Sequence, residues 1–397
     1  MNSFIPFNKP FVAGKELDYI AEAVTRGNLA GDGHFTRKCS EFLESRLRIH
    51  KVLMTPSATA ALEMAAMLCE LGPGDEVIMP SFTFVSTANA VARVGATPVF
   101  VDIREDTLNL DERLVEQAIT DSTKAIFPVH YAGVGCDMDV IMSIANHHEL
   151  KVVEDAAQAV NATYDQQALG SIGQLAAFSF HETKNYISGE GGALCINCPD
   201  MVRRAEIIRD KGTNRQEFFR GQVDKYTWVD LGSAYVPSEI VSAFLYGQLE
   251  MFDPITNRRR EIYRYYEQQL KPLENDGRLR LPCIPQKCHS NYHTFYILLP
   301  DSETRDELMR HLDKLGIKAV FHYVPLHLSV MGRRLGVSVG SLCVTEKTSE
   351  RLLRLPMYYG LTSDDQERVV NVVTEFAIRR KLKMKDPLPG YESVDIK

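Results

Sequence analysis

Between residues 51 and 196 the chain alternates short β-branched or apolar runs with longer helical patterns. This alternation predicts an α/β fold, in which a mostly parallel mixed sheet is flanked by helices. Ligands of such sheets bind beyond the carboxyl ends of the strands. The predicted strands are 51–54, 76–79, 97–101, 124–129, 151–154, 175–180 and 193–196, and the predicted helices are 60–71, 84–93, 111–119 and 137–148.

The second half of the chain predicts a smaller α+β domain. Its helical patterns cover 238–270 (with a break near Pro254), 302–314 and 362–380, and its strand patterns cover 293–299 and 317–321. A length of 397 residues suits about two domains. We therefore predict a large domain over 1–250, a small C-terminal domain over 251–380, and a disordered tail over 381–397.

Composition excludes several classes of function. The net charge of -7 lacks the basic excess of a nucleic-acid-binding protein. No apolar run reaches the roughly 18 residues that cross a bilayer, and the first residues lack a signal-peptide core. We therefore expect a cytoplasmic protein with no nucleic-acid or membrane partner.

Eight cysteines are present, most of them in apolar stretches. Cys195 and Cys198 have the spacing of a metal or redox pair, but no second pair follows at a matching spacing. We expect no disulfide framework and no metal.

Three segments at predicted strand ends carry chemistry. The first, Thr55-Pro-Ser-Ala-Thr-Ala60, joins a strand to a helix. Its small residues let backbone N–H groups approach an anion at the helix N-terminus. A simple helix cap is the alternative interpretation.

The second segment places Glu154 and Asp155 at the end of a buried strand, just before Ala156-Ala-Gln158. One carboxylate there can hold a ring nitrogen protonated through a charge-assisted hydrogen bond. An acid at a strand end caps a helix about as often as it takes part in catalysis.

The third segment, Phe178-Ser-Phe-His-Glu-Thr-Lys-Asn185, runs from an apolar strand into a glycine-rich loop. Desolvation of Lys184 in such a loop would lower its pKa and favour the neutral amine that forms an imine. A solvated surface lysine is the alternative interpretation.

Together these segments resemble the DegT-type family of nucleotide-sugar aminotransferases, which are fold-type I enzymes dependent on pyridoxal 5'-phosphate (PLP). The resemblance extends over roughly residues 4 to 375. It rests also on three further motifs: Gly31-Asp-Gly33, Pro80-Ser-Phe-Thr-Phe-Val-Ser86 and Arg220-Gly-Gln-Val-Asp-Lys-Tyr-Thr-Trp228.

The resemblance implies a role for each site residue. Lys184 matches the Schiff-base lysine, and Asp155 matches the partner of the pyridine nitrogen. Gln158 falls near the ring's 3-hydroxyl, and Phe84 falls where an aromatic residue stacks on the ring. The positions that match the phosphate-binding residues are Ala58, Thr59 and Ser179.

One position departs from the family pattern. Many members carry an asparagine that reaches the cofactor phosphate of the neighbouring subunit, and this chain has Ala234 there, within Gly232-Ser-Ala-Tyr-Val236. Ser233 or a backbone N–H could replace that contact. The family builds each active site from two subunits, so the resemblance implies a homodimer.

Two further regions are candidates for substrate binding. Arg215 and Arg220 lie in a polar loop and could bind a carboxylate or a pyrophosphate, although surface arginines are the default interpretation. His322, Tyr323 and His327 lie in a segment that resembles one near the family's sugar site. Histidines that only support the turn at Pro325 are an equal alternative.

The resemblance implies amino transfer from glutamate to a dTDP-linked 4-keto-6-deoxy sugar, giving a galacto-configured 4-amino product. Amination at C3 and a gluco product stay open. Related sugar dehydratases replace the Schiff-base lysine with histidine, and Lys184 argues against that activity. A non-catalytic protein of the same fold is the other alternative, against which Lys184, Asp155 and Gln158 speak.

Overall fold

The computed structural model describes residues 4–384. In chain order its helices are α1 Glu16–Thr25, α2 His34–Leu47, α3 Ala58–Leu68, α4 Val85–Arg93, α5 Met138–His147, α6 Val202–Arg209, α7 Arg215–Phe219, α8 Glu239–Glu250, α9 Phe252–Asn275, α10 Ser302–Lys314, α11 Val330–Leu335, α12 Cys343–Arg351 and α13 Ser363–Arg379. Its strands are β1 Lys51–Thr55, β2 Glu76–Pro80, β3 Thr97–Val101, β4 Thr123–Ile126, β5 Lys151–Asp155, β6 Thr163–Tyr164, β7 Gln167–Ala168, β8 Leu175–Ser179, β9 Gly192–Ile196, β10 Cys288–His289, β11 Tyr296–Leu298, β12 Val337–Ser338 and β13 Leu352–Arg354.

Eight strands form the central sheet, in the order β1-β9-β8-β5-β4-β2-β3-β12. All neighbouring pairs are parallel except those of β9, which is antiparallel to β1 and to β8. The prediction of a mostly parallel mixed sheet flanked by helices is confirmed. Each of the seven strands predicted between residues 51 and 196 is present within three residues of its predicted ends.

Apolar side chains cover both faces of the sheet. One cluster contains Leu43 of α2, Ile141 of α5 and Leu249 of α8. A second cluster contains Met64 of α3 and Val91 of α4. Strand residues alternate between the two clusters, so Val152 belongs to the first and Val153 to the second. This burial on both faces explains why the strands read as continuous apolar runs.

The C-terminal region has a buried cluster of its own, drawn from α9, α10, β11, β13 and α13 and joined by Ile5. Helix α9 belongs to both regions, since Phe252 packs in the first cluster and Ile262 in the C-terminal one. The domain boundary at 250/251 stays a prediction. Residues 385–397, most of the predicted tail, lie outside the described residues.

Three predicted elements differ from the structure. The helix predicted at 111–119 is two short 3₁₀ turns, because the Asp111 carboxylate accepts from the Arg113 N–H and Ile119 is extended. The strand predicted at 317–321 consists of isolated bridges at Ile317 and Val320. The break in 238–270 falls at Met251, while Pro254 lies in the first turn of α9, where proline costs no hydrogen bond.

Over residues 4–384, no helix is long and apolar enough to cross a membrane. All eight cysteines are free, and the described residues contain no cluster of three or more metal-ligating side chains.

Candidate active site

One edge of the central sheet gathers the three segments singled out in the sequence. The parallel strands β1, β5 and β8 end there at Thr55, Asp155 and Ser179. Because β9 runs in the opposite direction, it begins at this edge, and its first residue Gly192 pairs with both Thr55 and Ser179. The sheet topology therefore brings the segments together.

The N-terminus of α3 lies directly against β9. Ser57 caps the helix by accepting from the Ala60 N–H at 3.1 Å. A Cβ on Gly192 would come within 2.4 Å of the Ala58 nitrogen, so only glycine allows the two backbones to approach this closely. Helix geometry leaves the first N–H groups, including those of Ala58 and Thr59, without intrahelical acceptors. This N-terminus can receive an anion.

Two hydroxyl contacts connect α4 to the site. The hydroxyls of Thr59 and Ser86 lie 2.7 Å apart, and Thr87 donates a 2.6 Å hydrogen bond to Asp155 Oδ2. The Thr83 hydroxyl lies 2.9 Å from that of Thr87. Asp155 Oδ1 accepts from the Ala157 N–H at 3.2 Å. The buried carboxylate of Asp155 is thus held in one orientation.

Glu154, the other acid of the pair, forms its hydrogen bonds away from the site. It is completely buried and accepts from three backbone N–H groups, those of Gly170, Ile172 and Gly173, at 2.7 to 2.8 Å. His130 Nε2 lies 2.9 Å from its Oε2. Asp155 is therefore the acid available to a ligand.

Lys184 lines a cavity together with Gln158, Ser179 and the side chains of Asn185 and His293. Burial lowers the pKa of Lys184 to about 8, the nearby Asp155 carboxylate opposes this shift, and Arg354 reinforces it. A substantial fraction of the amine is consequently neutral near pH 8, as nucleophilic attack on an aldehyde requires.

Gln158 has both ends of its amide engaged. Its Oε1 accepts from the Ala132 N–H at 2.8 Å, and its Nε2 donates to the Tyr323 hydroxyl at 2.9 Å. The Tyr323 ring lies 6.4 Å from that of Phe84. Phe84 precedes α4 and is 58% exposed, so its ring face is free to stack on a ligand.

The two candidate histidines have different surroundings. His322 Nδ1 lies 3.1 Å from the Tyr131 hydroxyl, and its pKa is well below the ordinary value because of burial and the nearby Arg354 and Lys184. His327 has both ring nitrogens engaged, by Ser81 at 2.7 Å and by Glu346 at 3.1 Å. This arrangement favours a supporting role for His327 and leaves His322 and Tyr323 as the better candidates for ligand contact.

Arg215 and Arg220 lie on an exposed arm, residues 210–234, whose ends are joined by a bridge between Asp210 and Ala234. Arg215 packs over the Phe219 ring at 5.0 Å, and Arg220 forms a 2.5 Å ion pair with Glu206. Neither lines the Lys184 cavity. Their proposed contact with substrate stays a prediction.

The Gly31-Asp-Gly33 motif connects α2 to α8 and to the arm. Glu239 accepts from the Gly33 and Phe35 N–H groups at 3.0 and 2.7 Å. Asp32 forms a 2.6 Å ion pair with Arg209 and accepts from Gln216 at 3.0 Å. The motif therefore supports the base of the arm.

Sequence reasoning missed several residues around Lys184. Thr87 lies four residues after Thr83, a spacing that could have placed both hydroxyls on one side of a helix turn. Asn185 ends the segment that contains Lys184 but was given no role, and nothing local indicated His293; the two side chains meet at 3.0 Å. Burial holds the pKa of His293 well below its ordinary value.

This edge of the sheet suits a ligand that combines an aldehyde, a ring nitrogen and a phosphate. Lys184 supplies a partly neutral amine, Asp155 an oriented carboxylate, and α3 an N-terminus for the phosphate. PLP has these three groups, and the fold with this site is that of a PLP-dependent sugar aminotransferase. The chain belongs to the DegT/DnrJ/EryC1/StrS aminotransferase family, whose model matches residues 12–374.

Three similar proteins support this assignment. GDP-perosamine synthase of Caulobacter vibrioides is 34% identical over 373 residues, covering 93% of this chain and 97% of that protein. The spore coat polysaccharide biosynthesis protein SpsC of Bacillus subtilis is 32% identical over 94% of this chain and 97% of its own length. The PLP form of a putative sugar aminotransferase, Spr1654 of Streptococcus pneumoniae, superposes with a TM-score of 0.87 at 26% identity, covering 95% of this chain and 99% of that one.

Proposed function

We propose that this aminotransferase moves the amino group of glutamate to a dTDP-linked 4-keto-6-deoxy sugar, giving dTDP-4-amino-4,6-dideoxygalactose. The observation that carries the transfer is Lys184, a lysine with its pKa lowered to about 8 beside Asp155. The choice of sugar rests on the resemblance in four of the quoted motifs, at residues 31–33, 80–86, 178–185 and 220–228. The likeness to a spore coat polysaccharide protein supports a role in polysaccharide or lipopolysaccharide biosynthesis.

In this proposal Lys184 acts twice. Its Nζ would hold the cofactor covalently, and its free amine would move a proton at Cα of glutamate and at C4 of the sugar. Both roles need the neutral amine near pH 7. When bound, PLP supplies the electron sink that stabilises negative charge at the carbon losing its proton.

The other site residues would hold and orient the cofactor. Asp155, fixed by Thr87, would keep the ring nitrogen protonated. Gln158 would lie beside the 3-hydroxyl, and Phe84 would stack on the ring. The N–H groups of Ala58 and Thr59, with the Ser179 hydroxyl, would bind the phosphate.

The sugar nucleotide would bind on the open side of Phe84. His322 and Tyr323 would contact the sugar, while Arg215 and Arg220, with His327 in support, would contact the pyrophosphate. The two arginines do not line the cavity of their own chain, so they would serve a neighbouring subunit. We accordingly propose a homodimer, with the exposed arm at its interface.

The direct test incubates the enzyme with dTDP-4-keto-6-deoxyglucose and glutamate and identifies the product by NMR. We expect a 4-amino sugar of galacto configuration and one 2-oxoglutarate per product. Lys184→Ala should lower turnover by several orders of magnitude, while Lys314→Ala, at an exposed lysine of α10, should not. A C3-amino or gluco product would contradict the proposed specificity, and turnover of Lys184→Ala within about tenfold of wild type would contradict the role of Lys184.

A GDP-linked keto sugar is a second candidate, favoured by the 34% identity to GDP-perosamine synthase. The same assay with the GDP-linked 4-keto-6-deoxy sugar distinguishes the two. We expect the dTDP substrate to have the higher kcat/KM.

A further inference from the structure

Arg354 is a charged residue within an apolar run, Leu352-Leu-Arg-Leu-Pro356. It ends β13 and is fixed on both sides, pairing with Tyr296 of β11 and exchanging two backbone hydrogen bonds with Val320 at 2.8 and 3.1 Å. Its guanidinium packs over the Phe7 ring at 4.7 Å. The side chain is therefore built into the fold rather than extended into solvent.

Arg354 is half-buried, and its guanidinium lacks an anionic partner among the described residues. Within residues 4–384 no carboxylate forms an ion pair with Arg354, and its buried Nε has no hydrogen-bond partner. One Nη donates to the Phe321 carbonyl at 3.2 Å. Enclosing part of a cation without a counter-ion costs free energy, and the unpartnered Nε together with the exposed Nη edge leaves room for an anion that comes from a ligand.

Arg354 belongs to the surroundings of Lys184. Phe321, to which it donates, precedes His322 and Tyr323, and Tyr323 accepts from Gln158, which lines the Lys184 cavity. Electrostatic effects also place Arg354 near the site, because Arg354 lowers the pKa of both Lys184 and His322. Among the described residues, Asp155 is the carboxylate that acts on the Lys184 pKa, and we have assigned it to the ring nitrogen of the cofactor.

We propose that Arg354 binds a carboxylate of the amino-acid donor, an inference that rests on the proposed function. The guanidinium edge offers parallel N–H groups that match a carboxylate. The donor's α-carboxylate is attached to the carbon that loses its proton, so it must lie close to the Lys184 amine. The pyrophosphate of a sugar nucleotide lies several bonds from the reacting carbon and fits this position less well.

The test compares holoenzymes carrying Arg354→Gln, Arg354→Lys and, as a control that also removes one positive charge, Arg334→Gln at an exposed position of α11. Calorimetry measures the Kd of glutarate, an unreactive dicarboxylate, and steady-state kinetics give KM for each substrate. For Arg354→Gln we expect glutarate Kd and glutamate KM to rise about ten- to a hundredfold, with the KM of the nucleotide sugar changed less than about twofold. Arg354→Lys should be intermediate, and Arg334→Gln should match wild type.

Unchanged glutarate affinity in a folded Arg354→Gln protein overturns the inference, and so does a larger rise in the nucleotide-sugar KM, which would assign Arg354 to the pyrophosphate. Thermal unfolding and the affinity for PLP establish that the variant is intact. If Arg354→Gln does not fold, the glutarate Kd of Arg354→Lys tests the inference instead, because lysine keeps the charge but loses the paired N–H geometry. Whether wild type forms 2-oxoglutarate tests the proposed donor separately. If wild type uses glutamine or aspartate instead, the KM of that donor is measured in place of the KM of glutamate.

Discussion

At the scale of single residues, neighbouring side chains have opposite roles. Glu154 and Asp155 are adjacent on β5, and the alternation of a strand directs them to opposite faces. Glu154 accepts hydrogen bonds from backbone N–H groups and lies beside His130. Asp155 accepts a hydrogen bond from the Thr87 hydroxyl on the side of the site. One acid stabilises the loop at 170–173, and the other is left for the ligand.

The lowered pKa of Lys184 predicts how cofactor-free protein takes up PLP. Only the neutral amine reacts, so the rate of covalent incorporation should rise about tenfold per pH unit below pH 8 and level off above it. Absorbance of the bound cofactor between pH 6 and 10 measures this rate. Because the Asp155 carboxylate raises this pKa, Asp155→Asn should move the midpoint below 8. A wild-type midpoint near 10.5, the ordinary lysine value, would contradict the prediction.

At the scale of elements, the site depends on how closely α3 and β9 approach each other. The antiparallel direction of β9 places Gly192 against the backbone of Ser57 and Ala58. A hydroxyl contact between Thr59 and Ser86 then connects α3 to α4. The position of the phosphate-binding N–H groups is therefore determined by strand pairing and not by the loop sequence alone.

Gly192→Ala should weaken phosphate binding, because its Cβ would come within 2.3 Å of the Ser57 backbone and displace the start of α3. We expect the affinity of cofactor-free protein for PLP to fall about tenfold or more, roughly 1.4 kcal/mol. The affinity for pyridoxal, which lacks the phosphate, should change little. Gly72→Ala is the matched control, since a Cβ there meets nothing within 4 Å. Equal PLP affinity of Gly192→Ala and wild type would disprove the close-contact argument.

At the scale of the whole molecule, the exposed arm presents large apolar side chains to solvent. Phe219, Trp228 and Leu231 are 62 to 72% exposed, which is unusual for large apolar side chains clustered on one segment. A second copy of the chain would bury them, in the symmetric arrangement common among soluble oligomers.

Light scattering should therefore give twice the chain mass for wild type. The double substitution Trp228→Ser with Leu231→Ser should shift the protein toward monomer and reduce activity in parallel. Ile378→Ser, at an exposed apolar residue of α13, should change neither property. Fully active wild-type monomers at all concentrations would refute the homodimer.

The sequence by itself determined the fold class, the family and the identities of the cofactor-site candidates, because strand and helix periodicities are local and the motifs around Asp155 and Lys184 are contiguous. Only the tertiary structure decided which groups meet: Thr87 with Asp155, Arg354 with the surroundings of Lys184, and Gly192 with Ala58. Thr87 and Asp155 are 68 positions apart in the sequence, and Ala58 and Gly192 are 134 apart. Pairing across such distances depends on sheet order and strand direction, which no local pattern encodes. Likewise, backbone pairing on both sides of Arg354, with Tyr296 and with Val320, makes it a candidate ligand-binding residue rather than a surface charge.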